Sequence, residues 1–226
     1  MSRLSVRMFA MIAVVIATVL AVAVASRAGG PSAAVPTPTL DAQKSTAKGK
    51  QTAVVAGGCF WGIQAVFAHV KGVQSATSGY SGGTAKNPDY ETVSSGRTGH
   101  AESVQIVYDP SQVTYGELLR VFFSVALDPT ELNRQGPDEG TQYRSVIFYA
   151  NDEQKHIAEA YIDQLNKANV FSGPIVTQVV SLQAFYPAEA YHQNYFELHP
   201  YEPYIRINDA PKVANLKREF PEMYNK

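Results

Sequence analysis

Cys59 is the only cysteine in the chain and Trp61 the only tryptophan, and both lie in the glycine-flanked stretch AGGCFWGIQ. A single thiol has four uses: buried packing, a crosslink to a partner, a metal ligand without other thiols, or a reactive group. Its setting gives it a reason to be acidic. The apolar run TAVVA (52–56) predicts a buried strand, and Ile63, Val66, Phe67 and Val70 recur at helical spacing. Cys59 thus falls where a strand ends and a helix begins, and the unpaired N–H groups of a helix start favour a thiolate. Glu102 is the second candidate. It opens a period-2 stretch and shares a face with Val104, Ile106 and Tyr108. A carboxyl on a core face tends to hold its proton, whereas one at a strand rim reaches water. A protonated glutamate near a thiolate would donate to an oxygen gathering charge. Phe60 and Trp61 either fill the core or, left partly open, form an apolar cage for a methyl or thioether group. Tyr90, in a Gly-rich loop, and Tyr143 and Asp138, in QGPDEGTQYRS, are further polar candidates, although Asp138 also suits a plain turn.

Positioning these side chains takes an ordered set of elements. After the first strand and helix, residues 73–80 predict a second strand that runs into a loop rich in Gly, Ser and Asn. The period-2 strand from Glu102 follows. Thr114 then caps a helix with an apolar stripe at Leu118, Leu119, Phe122 and Val125. YRSVIFYA reads as a strand, Asn151 begins a helix carrying Ile157, Tyr161 and Leu165, and IVTQVVSLQ reads as a last strand. The tail, FYPAEAYHQNYFELHPYEPYI, has no clear period and reads as irregular. This order predicts an α+β two-layer sandwich around a mixed sheet, with a split β-α-β (ferredoxin-like) core and additions.

The N-terminus differs from the body. Arg3 and Arg7 precede an apolar run at 8–25, and Ala23-Val24-Ala25 has the small residues of a cleavage site, so residues 1–25 read as a signal peptide or N-terminal membrane anchor. The body is then expected outside the cytoplasmic membrane, in the periplasm or anchored there. Residues 26–50 hold almost no large apolar side chains and read as a disordered linker. Residues 51–226 form one domain of ordinary size. A net charge of −1 without a basic stripe argues against nucleic acid as a partner. The five histidines show no paired ligand spacing, so no metal is expected. No heptad or exposed apolar stripe calls for an oligomer, and the chain is expected to be a monomer.

Four long stretches, GGCFWG, GYSGG…NPDYETVSSGRTGHAESVQIVYDP, DPTELNRQGPDEGTQYRSVIFY and AEAYHQNYF, closely resemble the peptide methionine sulfoxide reductase A family across residues 52–205. The resemblance implies reduction of the S epimer of methionine sulfoxide, free or in oxidised proteins, through a sulfenic acid on Cys59. It implies that Cys59 is the nucleophile and that Phe60 and Trp61 hold the substrate methyl group. Glu102, Tyr90 and Tyr143 would bind the sulfoxide oxygen, with Glu102 the proton donor, and Asp138 would help shape the pocket. No cofactor is implied beyond an external thiol reductant: a thioredoxin-like or glutaredoxin-like protein, or dithiothreitol in vitro. That requirement is sharper here because relatives often carry resolving cysteines in the tail and this chain has none. Leu127 stands where the family pattern favours histidine, with a local packing effect expected. Two rivals make different predictions. A thiol hydrolase or acyltransferase would use His100 as the base for Cys59. An inactive module would bind methionine-rich segments through Phe60 and Trp61.

Overall fold

The computed structural model describes residues 35–226; the expected signal or anchor at 1–25 and the first part of the expected linker lie outside the described residues. The chain order is β1 (Gln51–Ala56), α1 (Phe60–Ala68), β2 (Val73–Ser81), α2 (Tyr90–Ser94), β3 (Ala101–Tyr108), α3 (Tyr115–Val121), β4 (Arg134–Gln135), β5 (Asp138–Glu139), β6 (Val146–Tyr149), α4 (Asp152–Ala168), β7 (Gln178–Ser181), β8 (Phe185–Pro187), α5 (Tyr195–Leu198) and α6 (Ala210–Glu219). Among the described residues these strands make a six-stranded sheet in the order β7-β6-β1-β3-β2-β8 and a small β4-β5 ribbon. Every pairing in the large sheet is antiparallel except β6 with β7, so the sheet is mixed.

Alternation along the strands decides where the core lies. Ala53, Val55, Val104, Ile106 and Ile147 face the helices and merge with residues of α1, α3 and α4 into one large core. The opposite face carries a much smaller cluster of Val54, Ala56, Ala101, Val146 and Phe148. Helices on one face of a sheet make the two-layer α+β architecture that the order of elements predicts. Each fully buried large apolar side chain stabilises the fold by about 1.5–3 kcal/mol. A core of this extent can therefore carry a few costly polar groups at one end.

The predicted caps are present. Thr114 accepts from the Glu117 N–H while the Glu117 carboxylate accepts from Thr114 N–H, a reciprocal box at the start of α3. Asn151 accepts from the Gln154 N–H and opens α4, which Asn169 closes in the left-handed conformation. The apolar stripe expected on α1 is only part of its buried surface: Phe60, Gly62, Gln64 and Ala65 are also buried. The reason is tertiary, because the tail crosses the outer side of this helix. Gln64 donates to Gln193 Oε1, and α6 follows on to bury Val213 and Leu216. The tail read as irregular (185–205) in fact supplies the edge strand β8 and the short α5, and the ten-residue α6 follows it.

The linker expectation is corrected for residues 35–50, which form a strap on the domain. Val35 is buried, and its carbonyl accepts from Arg120 Nε. Tyr161 donates to the Pro36 carbonyl at 2.7 Å, and Gln164 bonds to Thr37 and Thr39. Asp41 accepts from the Thr114 hydroxyl and from the Gly116 N–H, supplying acceptors to the start of α3. A segment poor in apolar residues is ordered here by hydrogen bonds and caps, which composition does not report.

Candidate active site

β1 delivers the chain to the site through Gly57 and Gly58. Gly58 has φ +93°, and a side chain there would overlap Gln135, so only glycine permits the turn. Cys59 follows as the N-cap of α1, buried, with no capping hydrogen bond from its side chain. Leu127 packs half-buried beside this turn, its Cδ1 filling the space over Gly57.

The unpaired first N–H of α1 is used by Glu102 instead. Phe60 N–H donates to Glu102 Oε2 at 3.0 Å, which leaves the other carboxyl oxygen to carry a proton. Glu102 is 3 % exposed and pairs across the strands with Tyr80. Burial pushes its carboxyl up to about 8, against the Phe60 hydrogen bond; the nearby Asp138 and Asp209 carboxyls push the same way. At neutral pH Glu102 is therefore mainly protonated. The acidic thiol expected from the helix start needs correction. Burial raises Cys59 well above the ordinary thiol value, Glu102 and Asp209 add to this, and the Trp61 N–H and Lys212 only partly oppose it. Burial first, with Glu102 and Asp209 adding to it, outweighs the one helix terminus.

A cavity of about 190 Å³ is lined by Cys59, Phe60, Trp61, Tyr90, Glu102, Asp138 and Tyr143, which brings together the seven site residues that the resemblance implies. Tyr90 stands at the start of α2, where the Asp89 box caps the helix and Glu189 accepts from Tyr90 N–H at 2.8 Å. The same glutamate accepts from the Tyr80 hydroxyl at 2.9 Å. Tyr143 ends a short 3₁₀ turn (Thr141–Tyr143), and burial followed by the Glu102 charge keeps its phenol protonated. Burial, followed by Glu102, raises Tyr90 likewise, so both phenols keep their protons. Asp138 accepts from the Tyr204 hydroxyl, and burial raises its carboxyl.

Tyr204 is the eighth lining residue, and sequence reasoning missed it. It missed the rest of the tail's contribution as well. Trp61 stacks on Tyr195 with ring centroids 3.8 Å apart and meets Tyr204 edge-on at 5.9 Å. Its indole N–H donates to His192 Nδ1 at 3.2 Å, which places the imidazole proton on Nε2. Burial lowers His192, so the ring stays neutral. The tail therefore fixes the tryptophan as a wall. The available signal was the density of Tyr and His around residues 190–204, which carries no period.

His100 is held elsewhere. Its Nδ1 accepts from the Gly83 N–H at 3.1 Å and its Nε2 donates to the Ala85 carbonyl at 2.8 Å. Both ring nitrogens tie down the Gly-rich loop, and neither is available as a base for Cys59. Among the described residues no group of three or more His, Cys, Asp or Glu side chains is placed to hold a metal ion.

Residues 51–224 match the family model described as "Peptide methionine sulfoxide reductase". The chain is 62 % identical over 182 residues to "Peptide methionine sulfoxide reductase MsrA 2" of Mesorhizobium japonicum, covering 80 % of this chain and 93 % of that protein. It is 50 % identical over 206 residues to the protein of the same name from Synechocystis, covering 90 % and 96 %. Among solved structures, methionine sulfoxide reductase A of Corynebacterium diphtheriae superposes with a TM-score of 0.60 at 36 % identity, over 78 % of this chain and 90 % of the other. Reduced Mxr1 from Saccharomyces cerevisiae gives 0.60 at 31 %, over 72 % and 92 %.

Proposed function

Since the chain belongs to the peptide methionine sulfoxide reductase family and is an oxidoreductase that reduces methionine sulfoxide, we propose that Cys59 is its nucleophile and Glu102 its proton donor. The observation that carries this reading is the one hydrogen bond that holds Glu102 on Phe60 N–H, beside the thiol and on the same cavity. Sulfoxide oxygen is a poor leaving group until it is protonated. A carboxylic acid still protonated at pH 7 can supply that proton, a contribution of about 10²–10⁴ in rate. Tyr90 and Tyr143 add neutral donors that orient the oxygen and stabilise its developing charge.

In the proposed step the Cys59 sulfur attacks the sulfoxide sulfur, Glu102 gives its proton to the oxygen, and the proton lost by the thiol restores Glu102. The oxygen passes to the Cys59 sulfur as the sulfur–oxygen bond and the transient sulfur–sulfur bond formed by the attack both break, releasing the thioether. The sum is thiol plus sulfoxide giving sulfenic acid plus thioether: Cys59 is oxidised and the methionine is reduced. Phe60 and Trp61 form the wall for the methyl group, and Asp138 holds Tyr204 at the rim. With the methyl on that wall, the oxygen on the hydroxyls and the sulfur toward Cys59, only one configuration at sulfur fits, which we assign as the S epimer.

No second cysteine exists to take up the sulfenic acid. An external thiol therefore forms a mixed disulfide with Cys59 and releases water, and a second thiol frees the enzyme. A thioredoxin-like or glutaredoxin-like protein fits this role. The basic and apolar N-terminal residues support an exported protein, on the periplasmic side of the cytoplasmic membrane.

The test incubates the full chain with both diastereomers of free methionine sulfoxide and dithiothreitol and follows each by chiral chromatography. Loss of the S epimer alone, abolished in Cys59→Ser, is the expected result. Turnover that survives Cys59→Ser would refute the assigned nucleophile, and consumption of the R epimer would refute the assigned selectivity.

A further inference from the structure

The two phenols of the oxygen site come from separate pieces of chain, and neither piece is stable by itself. Tyr90 opens α2, which is five residues long, and Tyr143 closes the three-residue turn Thr141–Tyr143. So short a helix has no cooperative stability of its own, and its partners decide where its side chains sit. At the start of α2 those partners are the Asp89 box and the Glu189 carboxylate on Tyr90 N–H. At its other end the Ser94 carbonyl accepts from Gln142 Nε2 at 3.1 Å.

Gln142 immediately precedes Tyr143 in the chain. Its side chain is buried but lies outside the cavity lining. Its hydrogen bonding is one-sided: Nε2 meets the Ser94 carbonyl, whereas Oε1 is buried without a hydrogen-bond partner among the described residues. Turning the amide over would set two oxygens against each other, so Ser94 settles its orientation. A buried amide satisfied at only one end lowers stability, and its place in the fold calls for a reason. Gly140 makes room for it. That residue has φ +132°, and a methyl group there would overlap the Gln142 amide. The Gly140 carbonyl accepts from Tyr143 N–H at 3.0 Å, and its N–H donates to the Asn133 carbonyl at 2.9 Å. The turn that carries Tyr143 is thus anchored beside the β4-β5 ribbon and reaches α2 through one side chain. Thr141 and Arg144 cross the same seam, but they end on the Gly96 and Gly99 carbonyls, beyond the helix.

We infer that Gln142 is a positioning residue for sulfoxide reduction: its amide locks α2 to the Thr141–Tyr143 turn and so sets the spacing of the Tyr90 and Tyr143 hydroxyls. It acts through those two phenols and meets no reacting atom. Two hydroxyls that converge on one oxygen need a held separation, because O–H···O bonds are confined to about 2.5–3.0 Å.

The inference rests on the two tyrosines as donors to the sulfoxide oxygen. Its test compares Gln142→Met, which keeps the volume and removes the donor, in the full wild-type chain and in the Tyr90→Phe/Tyr143→Phe chain. The readout is kcat/KM for the S epimer of free methionine sulfoxide with dithiothreitol. Gln142→Met is expected to lose roughly 3–10-fold in the wild-type background and nothing further where both hydroxyls are already gone. Iodoacetamide alkylation of Cys59 should be unchanged by it, since the thiol lies on another element. An equal loss in both backgrounds, or an unchanged kcat/KM with a lowered melting temperature, would mean a merely structural role and would overturn the inference. Gln142→Asn, which keeps the amide but draws it back by one methylene, is the second variant and should behave likewise. Should neither fold, amide hydrogen exchange in the unsubstituted chain decides. The Val93 and Ser95 N–H groups, bonded to the Asp89 and Glu91 carbonyls, should be protected together with that of Tyr143. Free exchange in α2 beside a protected Tyr143 would overturn the lock. Wild-type rates in the Tyr90→Phe/Tyr143→Phe chain would instead bring down the oxygen-site reading, so the two fail separately.

Discussion

Glu102 is the second residue of β3 and Asp109 the first residue beyond its end, seven positions on, and both are buried. Asp109 accepts from the Ser111 N–H and hydroxyl, the Gln112 amide and, at 3.3 Å, the Gly49 N–H. Those donors, the Gln112 and Ser111 side chains first, push it down to about 2. Glu102 receives a single backbone N–H, and burial pushes it up to about 8. The same functional group is a permanent anion just past one end of the strand and an acid near the other. What separates them is the number of donors per carboxyl and the company kept: serine and glutamine around Asp109, two further carboxyls near Glu102. Structural carboxylates are satisfied; this catalytic candidate is left short of partners so that it keeps its proton.

The comparison can be broken most directly by exchanging acid for amide at each end. Glu102→Gln retains shape but cannot give up a proton, and turnover of the S epimer should fall by about 10²–10⁴. The wild-type rate should decline as pH rises through about 8, where Glu102 ionises, and this limb should be missing from the residual activity of the variant. The stability signs differ as well. A carboxyl raised from 4.5 to about 8 contributes native stability that is complete below 4.5 and lost as pH rises through about 8. Thermal melts of Glu102→Gln should lack that alkaline decline.

Next in size, Tyr90→Phe and Tyr143→Phe each remove one donor to the substrate oxygen. A hydrogen bond of about 1–1.5 kcal/mol predicts roughly 5–10-fold losses in kcat/KM apiece. Equal rates in wild type and both variants would take the tyrosines out of the oxygen site. Asp109→Asn is the mirror experiment. Stability from a lowered carboxyl is present above 3.8 and lost as pH falls through about 2, so the variant should melt below wild type at pH 7 and converge with it in acid. Its turnover at room temperature should match wild type, and a loss there would erase the distinction between the two ends. The smallest effect is expected at the strap, where Asp41→Ala withdraws acceptors from the start of α3. About 1 kcal/mol of stability should go, measured by denaturant unfolding, with no change in kcat/KM.

Several features of the fold were legible because they are local. Period 2 along β3 placed Glu102, Val104 and Ile106 on one face, and Thr114 and Asn151 announced helix starts through short side chains that reach backbone N–H groups two or three residues on. The tail defeated the same reasoning, since α5 has four residues and the π-turn before α6 breaks helical spacing. The strap at 35–50 was misread for a related cause: its order comes from Asp41 on Thr114 and Tyr161 on Pro36, contacts spanning 73 and 125 positions.

By itself, then, the sequence determined which groups are available: one thiol, a glutamate in phase with a core face, glycines at a strand-to-helix turn, and no second cysteine to resolve an oxidised first. It also determined the order of the main strands and helices before the tail, because propensity, capping and periodicity act over a few residues. Only the tertiary structure decided the protonation of those groups. The thiol that a helix terminus alone would make acidic is held neutral by burial beside Glu102 and Asp209, which come from positions 43 and 150 further along the chain. Desolvation and Coulomb interaction depend on distance through space and on how much water has been removed, and neither quantity exists until the chain has folded.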